Sequence, residues 1–180
     1  MYSEEELQAL AKAQYEFKRE YRFRNYKHTL FSFLSSAIIL LIAIFIISGL
    51  IFDIRTVYGD GMETAVPDGH YIVSNRLAYQ IRVPQRGDVI LSNGHLYRII
   101  GMPGEEVSIY GGHLYINNTR VKEEYLAETL LTYPVSGKET QQVPEGSYYV
   151  LCDNRKCYDD SRQGFFITPA NIQGRLLFVI

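Results

Sequence analysis

Tyr97-Arg98-Ile99-Ile100-Gly101-Met102-Pro103-Gly104-Glu105 is a β-type run, begun at Leu96, that stops at a proline-glycine turn. The chain on both sides repeats that pattern of short apolar runs punctuated by Gly, Pro, Asn and Asp. Downstream, Glu106 to Tyr110 and His113 to Asn117 flank Gly111-Gly112, a two-residue turn that fits a tight hairpin. Upstream, Tyr71 to Val73 and Asp88 to Leu91 read as strands, as do Ser147 to Cys152 and Leu176 to Ile180 further on. Helical periodicity is not evident beyond residue 52. Residues 122–144 are more polar and irregular, and read as a small inserted lobe or lid. Asn117-Asn118-Thr119 spells a glycosylation sequon, but its place between two runs is one where a turn uses Asn for its backbone. The expected class is mainly β: an antiparallel domain over 53–180 carrying that inserted lobe.

Ahead of this domain, Leu30 to Phe52 carries no charge and is rich in Ile and Leu. Its roughly 23 residues, at about 1.5 Å each, cover the ~30 Å hydrocarbon core of a bilayer. A buried core helix would keep a polar face and this run has none, so it reads as a transmembrane helix. It is too long for a cleavable signal, and Ser48-Gly49-Leu50-Ile51-Phe52 offers no small-x-small site. Lys12, Lys18, Arg19, Arg22, Arg24 and Lys27 precede it and would hold the N-terminus in the cytoplasm, sending the β domain outside. In the tail, residues 1–29, Ser3 and Glu6 form a capping box, and Leu7, Leu10, Ala11 and Tyr15 recur at helical spacing. The tail is expected to be a short amphipathic helix, its Tyr and Arg run serving as a stop-transfer flank against the lipid bilayer.

The formal net charge of −2 gives no bulk electrostatic case for nucleic acid. Cys152 and Cys157 can be bridged if their Cα atoms come within about 7 Å; the sequence leaves that bond open. Two cysteines make no zinc site alone, and none of the 4 histidines stands at ligand spacing beside them. No metal or cofactor is expected.

Three further stretches join the opening one: Val57-Tyr58-Gly59-Asp60-Gly61-Met62-Glu63, Arg86-Gly87-Asp88-Val89-Ile90, and Cys152-Asp153-Asn154-Arg155 running on to Asp159-Asp160-Ser161-Arg162. In this order behind one apolar span, they resemble boxes B to E of the type I signal peptidases, over almost the whole chain. The resemblance implies a serine-lysine peptidase fold in which box B supplies a nucleophilic serine and box D a lysine general base. Gly61 stands at the serine position and Tyr97 at the lysine position. Gly59 replaces an oxyanion donor, Tyr158 the serine that helps hold the lysine, and Cys152 a box E glycine. Met62 is kept. A phenol has a reference pKa near 10, and burial raises it further, so Tyr97 is no substitute base.

No serine lies between residues 49 and 73 and no lysine between 28 and 121, so a shifted register restores neither group. Asp60 and His95 flank the lost pair, yet Ser92 or Ser161 would have to move to complete a set with them, and Asp60 has no evident second carboxylate. They read as a turn residue and a polar strand residue. The resemblance then implies a peptide-binding cleft at Asp60, Gly61, Met62, His95 and Tyr97. It also implies a structural brace of Arg98, Asp153, Arg155, Asp160 and Arg162, with Arg98 paired to Asp160. The functional expectation is a membrane-anchored, non-catalytic homologue resembling the signal-peptidase-like pilus assembly proteins of Gram-positive cocci. Such a protein is a chaperone or scaffold for a pilin or other exported client, with a sortase as a second candidate partner. The alternative is an active type I signal peptidase that removes leader peptides from exported proteins.

Overall fold

The computed structural model describes residues 4–127 and 129–180; Ser3 of the expected capping box lies outside them. Two compact units divide between Ser48 and Gly49. The first is built by α1 (Glu4–Ile51), so the expected tail and span form one continuous helix. Phe31, Leu40, Phe45 and Ile47 are among the apolar side chains it leaves exposed. Ser35 and Ser48 turn their hydroxyls back onto the carbonyls of Ser32 and Phe45, both at 2.8 Å, so these polar groups are satisfied within the helix. The helix is long and apolar enough to cross a membrane.

The second unit holds two antiparallel sheets. The larger runs in the order β1 (Phe52–Thr56), β2 (Tyr71–Asn75), β10 (Ile172–Val179), β3 (Val89–Ser92), β4 (His95–Gly101), β9 (Tyr149–Leu151). The smaller has the order β7 (Thr119–Arg120), β6 (His113–Ile116), β5 (Glu106–Tyr110), β8 (Thr140–Gln142). Gly111-Gly112 turns the β5–β6 hairpin as expected, with positive φ at both residues and Tyr110 opposite His113. Asn93-Gly94 makes the equivalent turn between β3 and β4, which sets Ile90 opposite Tyr97. Asn117 and Asn118, both at positive φ, turn β6 into β7. The polar 122–144 stretch does not stay irregular throughout, since its Thr140–Gln142 pairs with Glu106–Ser108. A single helical turn, α2 (Ala78–Ile81), stands after residue 52; it is too short to leave a periodicity in the sequence.

The Arg86-Gly87-Asp88 triplet anchors the entry to β3. The Asp88 carboxylate accepts from Tyr79 Oη at 3.0 Å, the Gln85 amide at 3.1 Å, Arg175 Nε at 2.9 Å, and Arg82. Burial pushes the Asp88 pKa up, but these donors outweigh it and hold the group below the ordinary carboxylate range.

The sheets share a core of Ile100, Val107, Ile109, Leu114, Ile116, Val143, Tyr149 and Leu151. Gly101 sits at an irregularity in the β4–β9 pairing, where a Cβ would fall 2.6 Å from Val107 Cγ2 and 2.9 Å from Tyr149 Cβ. Gly101→Ala is therefore expected to destabilise the domain by about 1–3 kcal/mol through overpacking, read as a lower urea midpoint with unchanged slope.

Candidate functional site

The Gly59–Val66 segment is a compact loop fastened at several points. The Gly59 amide donates to Asp68 Oδ1 at 2.7 Å, and the amides of Glu63 and Val66 close turns onto the carbonyls of Asp60 and Met62. The loop is joined to the 152–162 segment across nearly a hundred residues of sequence. Asn154 donates its amide to the Gly61 carbonyl at 2.9 Å and its side chain to Asp60 Oδ2 at 3.3 Å. The Asp153 amide points at Met62 Sδ, 3.4 Å away. With β4 these segments enclose a cleft of about 220 Å³ lined by Asp60, Gly61, Met62, His95 and Tyr97, and by Cys152 and Cys157. All the expected cleft residues are thus brought together.

Two sulfurs and a buried phenol line this cleft around Gly61. A Cβ built on Gly61 would meet Cys152 Sγ at 3.3 Å and Cys157 Sγ at 3.6 Å, so the sulfurs occupy the ground in front of that position. Tyr97 is buried, with its ring edge-on to Phe165 and tilted against His95, each at 6.4 Å between centroids. Burial chiefly, then the nearby Asp159 and the two sulfurs, raises its phenol pKa well above the ordinary value. Burial likewise raises the Cys152 thiol, with help from its Cys157 neighbour and Asp160. The two hydroxyls nearest in sequence logic are engaged elsewhere: Ser92 Oγ donates to the Asn171 carbonyl at 2.9 Å, and Ser161 Oγ accepts from the Val150 amide at 2.9 Å. Tyr158 does not line the cleft; its ring lies against the Arg162 guanidinium at 4.4 Å.

The brace differs in one pairing from the expectation. Arg98 grips Asp153, not Asp160, with Nε and Nη2 donating to the two carboxylate oxygens at 2.8 and 2.5 Å. The reason is register: Leu151 lies opposite Arg98, and Asp153 two residues on projects to the same side. Arg98 also donates to the Gly87 carbonyl at 3.0 Å and stacks over Tyr125 at 4.0 Å. Asp160 instead takes Arg162 Nε and Nη2, both at 2.8 Å, and accepts the Cys152 amide at 3.1 Å. Arg155 pairs with Glu123 and reaches Tyr125 Oη. Glu123 and Tyr125 went unnoticed in the sequence, because nothing in an irregular polar stretch marks which acid will meet a distant arginine. Cys152 and Cys157 bring their sulfurs to 2.8 Å without a bond between them.

The family model described as "Signal peptidase, peptidase S26" matches residues 30–180. The chain belongs to this family. It is 30% identical over 173 residues to a signal peptidase I of Bacillus licheniformis, a match covering 89% of this chain and 93% of that one. It is 26% identical over 171 residues to signal peptidase IB of Staphylococcus aureus, covering 84% and 90%. A crystal structure of a signal peptidase I from Enterococcus faecalis is 33% identical and covers 53% of this chain and 98% of that chain, with a TM-score of 0.45. As a signal peptidase family member with one helix of membrane-crossing length, the chain is a membrane-anchored protein.

Proposed function

We propose that this signal peptidase homologue is a non-catalytic binding protein that holds an extended segment of an exported client beside the Asp60–Met62 loop. In this reading residues 1–29 stay in the cytoplasm, 30–52 cross the bilayer, and 53–180 work outside, with 122–144 as a lid. The client is a pilin or another exported protein, and a sortase is the enzyme to which it is presented. The observation that supports the reading is the composition of the cleft. A serine-lysine peptidase needs a hydroxyl and a neutral amine in contact, and the lining offers Gly61 and a Tyr97 phenol whose pKa is raised. Loss of both groups leaves the walls of a peptide cleft in place, and an extended segment can still be held there by main-chain hydrogen bonds and shallow pockets.

The test is incubation of the full-length protein in detergent with a pre-pilin and with a generic pre-protein, beside an active signal peptidase. The expected result is binding of the pilin with any cleavage slower than the active enzyme's by on the order of 10⁶, the loss that follows removal of a serine nucleophile in a protease. Cleavage by the unmodified chain would overturn the proposal. It would support the second reading, an active leader peptidase, which the names of the relatives favour.

A further inference from the structure

We propose that Cys152 and Cys157 are a redox site: a dithiol that closes to a disulfide on the floor of the cleft, in front of Gly61, by exchange with an external disulfide. Three features of the structure converge on this. The sulfurs are already 2.8 Å apart, and a disulfide needs about 2.05 Å. The backbone at both ends is pinned in the position that brings them together. The Cys152 amide is held by Asp160 Oδ2, the Cys157 amide by the Asn154 carbonyl at 2.9 Å, and the Cys157 carbonyl by Arg162. Finally, the two thiols both line the cleft but are unequal in access: Cys152 is buried, whereas Cys157 is half-buried.

That inequality sets the order of steps. The Cys157 sulfur, as thiolate, attacks one sulfur of the external disulfide; its S–S bond breaks and one thiol leaves with a proton, giving a mixed disulfide. The Cys152 sulfur then attacks the Cys157 sulfur, the mixed disulfide's S–S bond breaks, and the Cys152 proton passes to the departing sulfur, which leaves as the second thiol. Two electrons pass from the dithiol to the external disulfide, and the chain loses two hydrogens. Burial keeps the Cys152 thiol protonated until its partner is activated, which suits a resolving rather than an attacking role. The co-reactant is a small-molecule or protein disulfide of the kind present where exported proteins fold. That location rests on the orientation given under Proposed function; the exchange chemistry does not.

The experiment treats the full-length protein in detergent with oxidised glutathione at neutral pH, quenches with a maleimide in concentrated urea so that buried Cys152 is reached, and reads the intact mass. Before treatment both thiols take the maleimide. After it the expected product takes none, carries no glutathione, and is lighter by two hydrogens; dithiothreitol restores both adducts. Cys152→Ser is expected to stop as a stable glutathione adduct on Cys157, and Cys157→Ser to form none. A native chain that keeps both maleimide adducts, or that stops at the glutathione adduct, would overturn the proposal. The readout is independent of client binding, so failure of the redox site and failure of the binding reading are told apart.

Discussion

Gly61→Ser, Tyr97→Lys and Cys152→Gly combined are expected to yield a chain that cleaves a pre-protein which the unmodified protein leaves intact. The Gly61→Ser, Tyr97→Lys pair alone is expected to be slower by about a hundredfold, the usual cost of a ~1 Å misplacement of a reacting group. The first obstacle is steric. A Cβ at position 61 already stands 3.3 Å from Cys152 Sγ, tighter than ordinary contact, and a hydroxyl beyond it adds to the crowding. Removing the Cys152 side chain clears that space, while the amide that Asp160 accepts remains in place. Cys157 stays 3.6 Å from the same Cβ, an ordinary contact. At position 97 burial, the largest cause of the raised phenol pKa, would lower a lysine's and so favour a base, while Asp159 and Asp160 pull the other way by favouring the ammonium. Tyr158 is left untouched, since its ring packs on Arg162. Product formation is followed by mass spectrometry against an active signal peptidase. Equal rates for the double and triple variants would show that Cys152 is not the obstruction. No cleavage from a folded triple variant, nor from one that also carries Gly59→Ser and Tyr158→Ser, would mean that Gly61 and Tyr97 are not the dyad positions.

The strands that sequence reading found are those whose apolar runs end in a turn of fixed chemistry, such as Glu106–Tyr110 and His113–Ile116 around Gly111-Gly112. Those it missed lack one or the other signal. Phe52–Thr56 is continuous in sequence with the apolar span, and it becomes a strand only by pairing with Tyr71–Asn75, where Asp53 collects Arg55 and Arg76. Thr140–Gln142 is polar throughout, and only the edge left open by Glu106–Ser108 makes it a strand. The cleft was legible residue by residue because the boxes are contiguous in sequence. The brace was less so: whether Arg98 meets Asp153 or Asp160 depends on the β4–β9 register, which no local pattern encodes. The same holds for the crowding of Gly61 by Cys152, since both residues come close only after the Asn154 amide has bonded the Gly61 carbonyl.

Replacing Arg162 with Met is expected to cost about 3–5 kcal/mol of stability, the price of breaking a buried ion pair from one side. Arg162 is wholly buried, and so is its partner Asp160. Its guanidinium joins the Asp160 carboxylate in two parallel bonds and also donates to the carbonyls of Arg155 at 2.9 Å, Cys157, and Tyr133 at 3.4 Å. Methionine fills comparable space but leaves a buried carboxylate without its cation and these carbonyls without a donor. Asp160→Asn together with Arg162→Met should cost less than the two single changes summed, because no unpaired charge remains. Lys122 and Glu124 form the opposite kind of pair, at 3.2 Å with both side chains about four-fifths exposed. Lys122→Ala is expected to leave the unfolding midpoint where it was. Urea titration of the full-length protein in detergent measures all of these. The loop that Arg162 holds carries Cys152, Asp153 and Asn154, the residues that touch Gly61 and Met62. Client binding should therefore weaken in Arg162→Met even below its unfolding midpoint, whereas it should survive in Lys122→Ala. A variant as stable as the parent would mean that the 152–162 loop is held by its apolar contacts, and that the ion pair is incidental to the cleft.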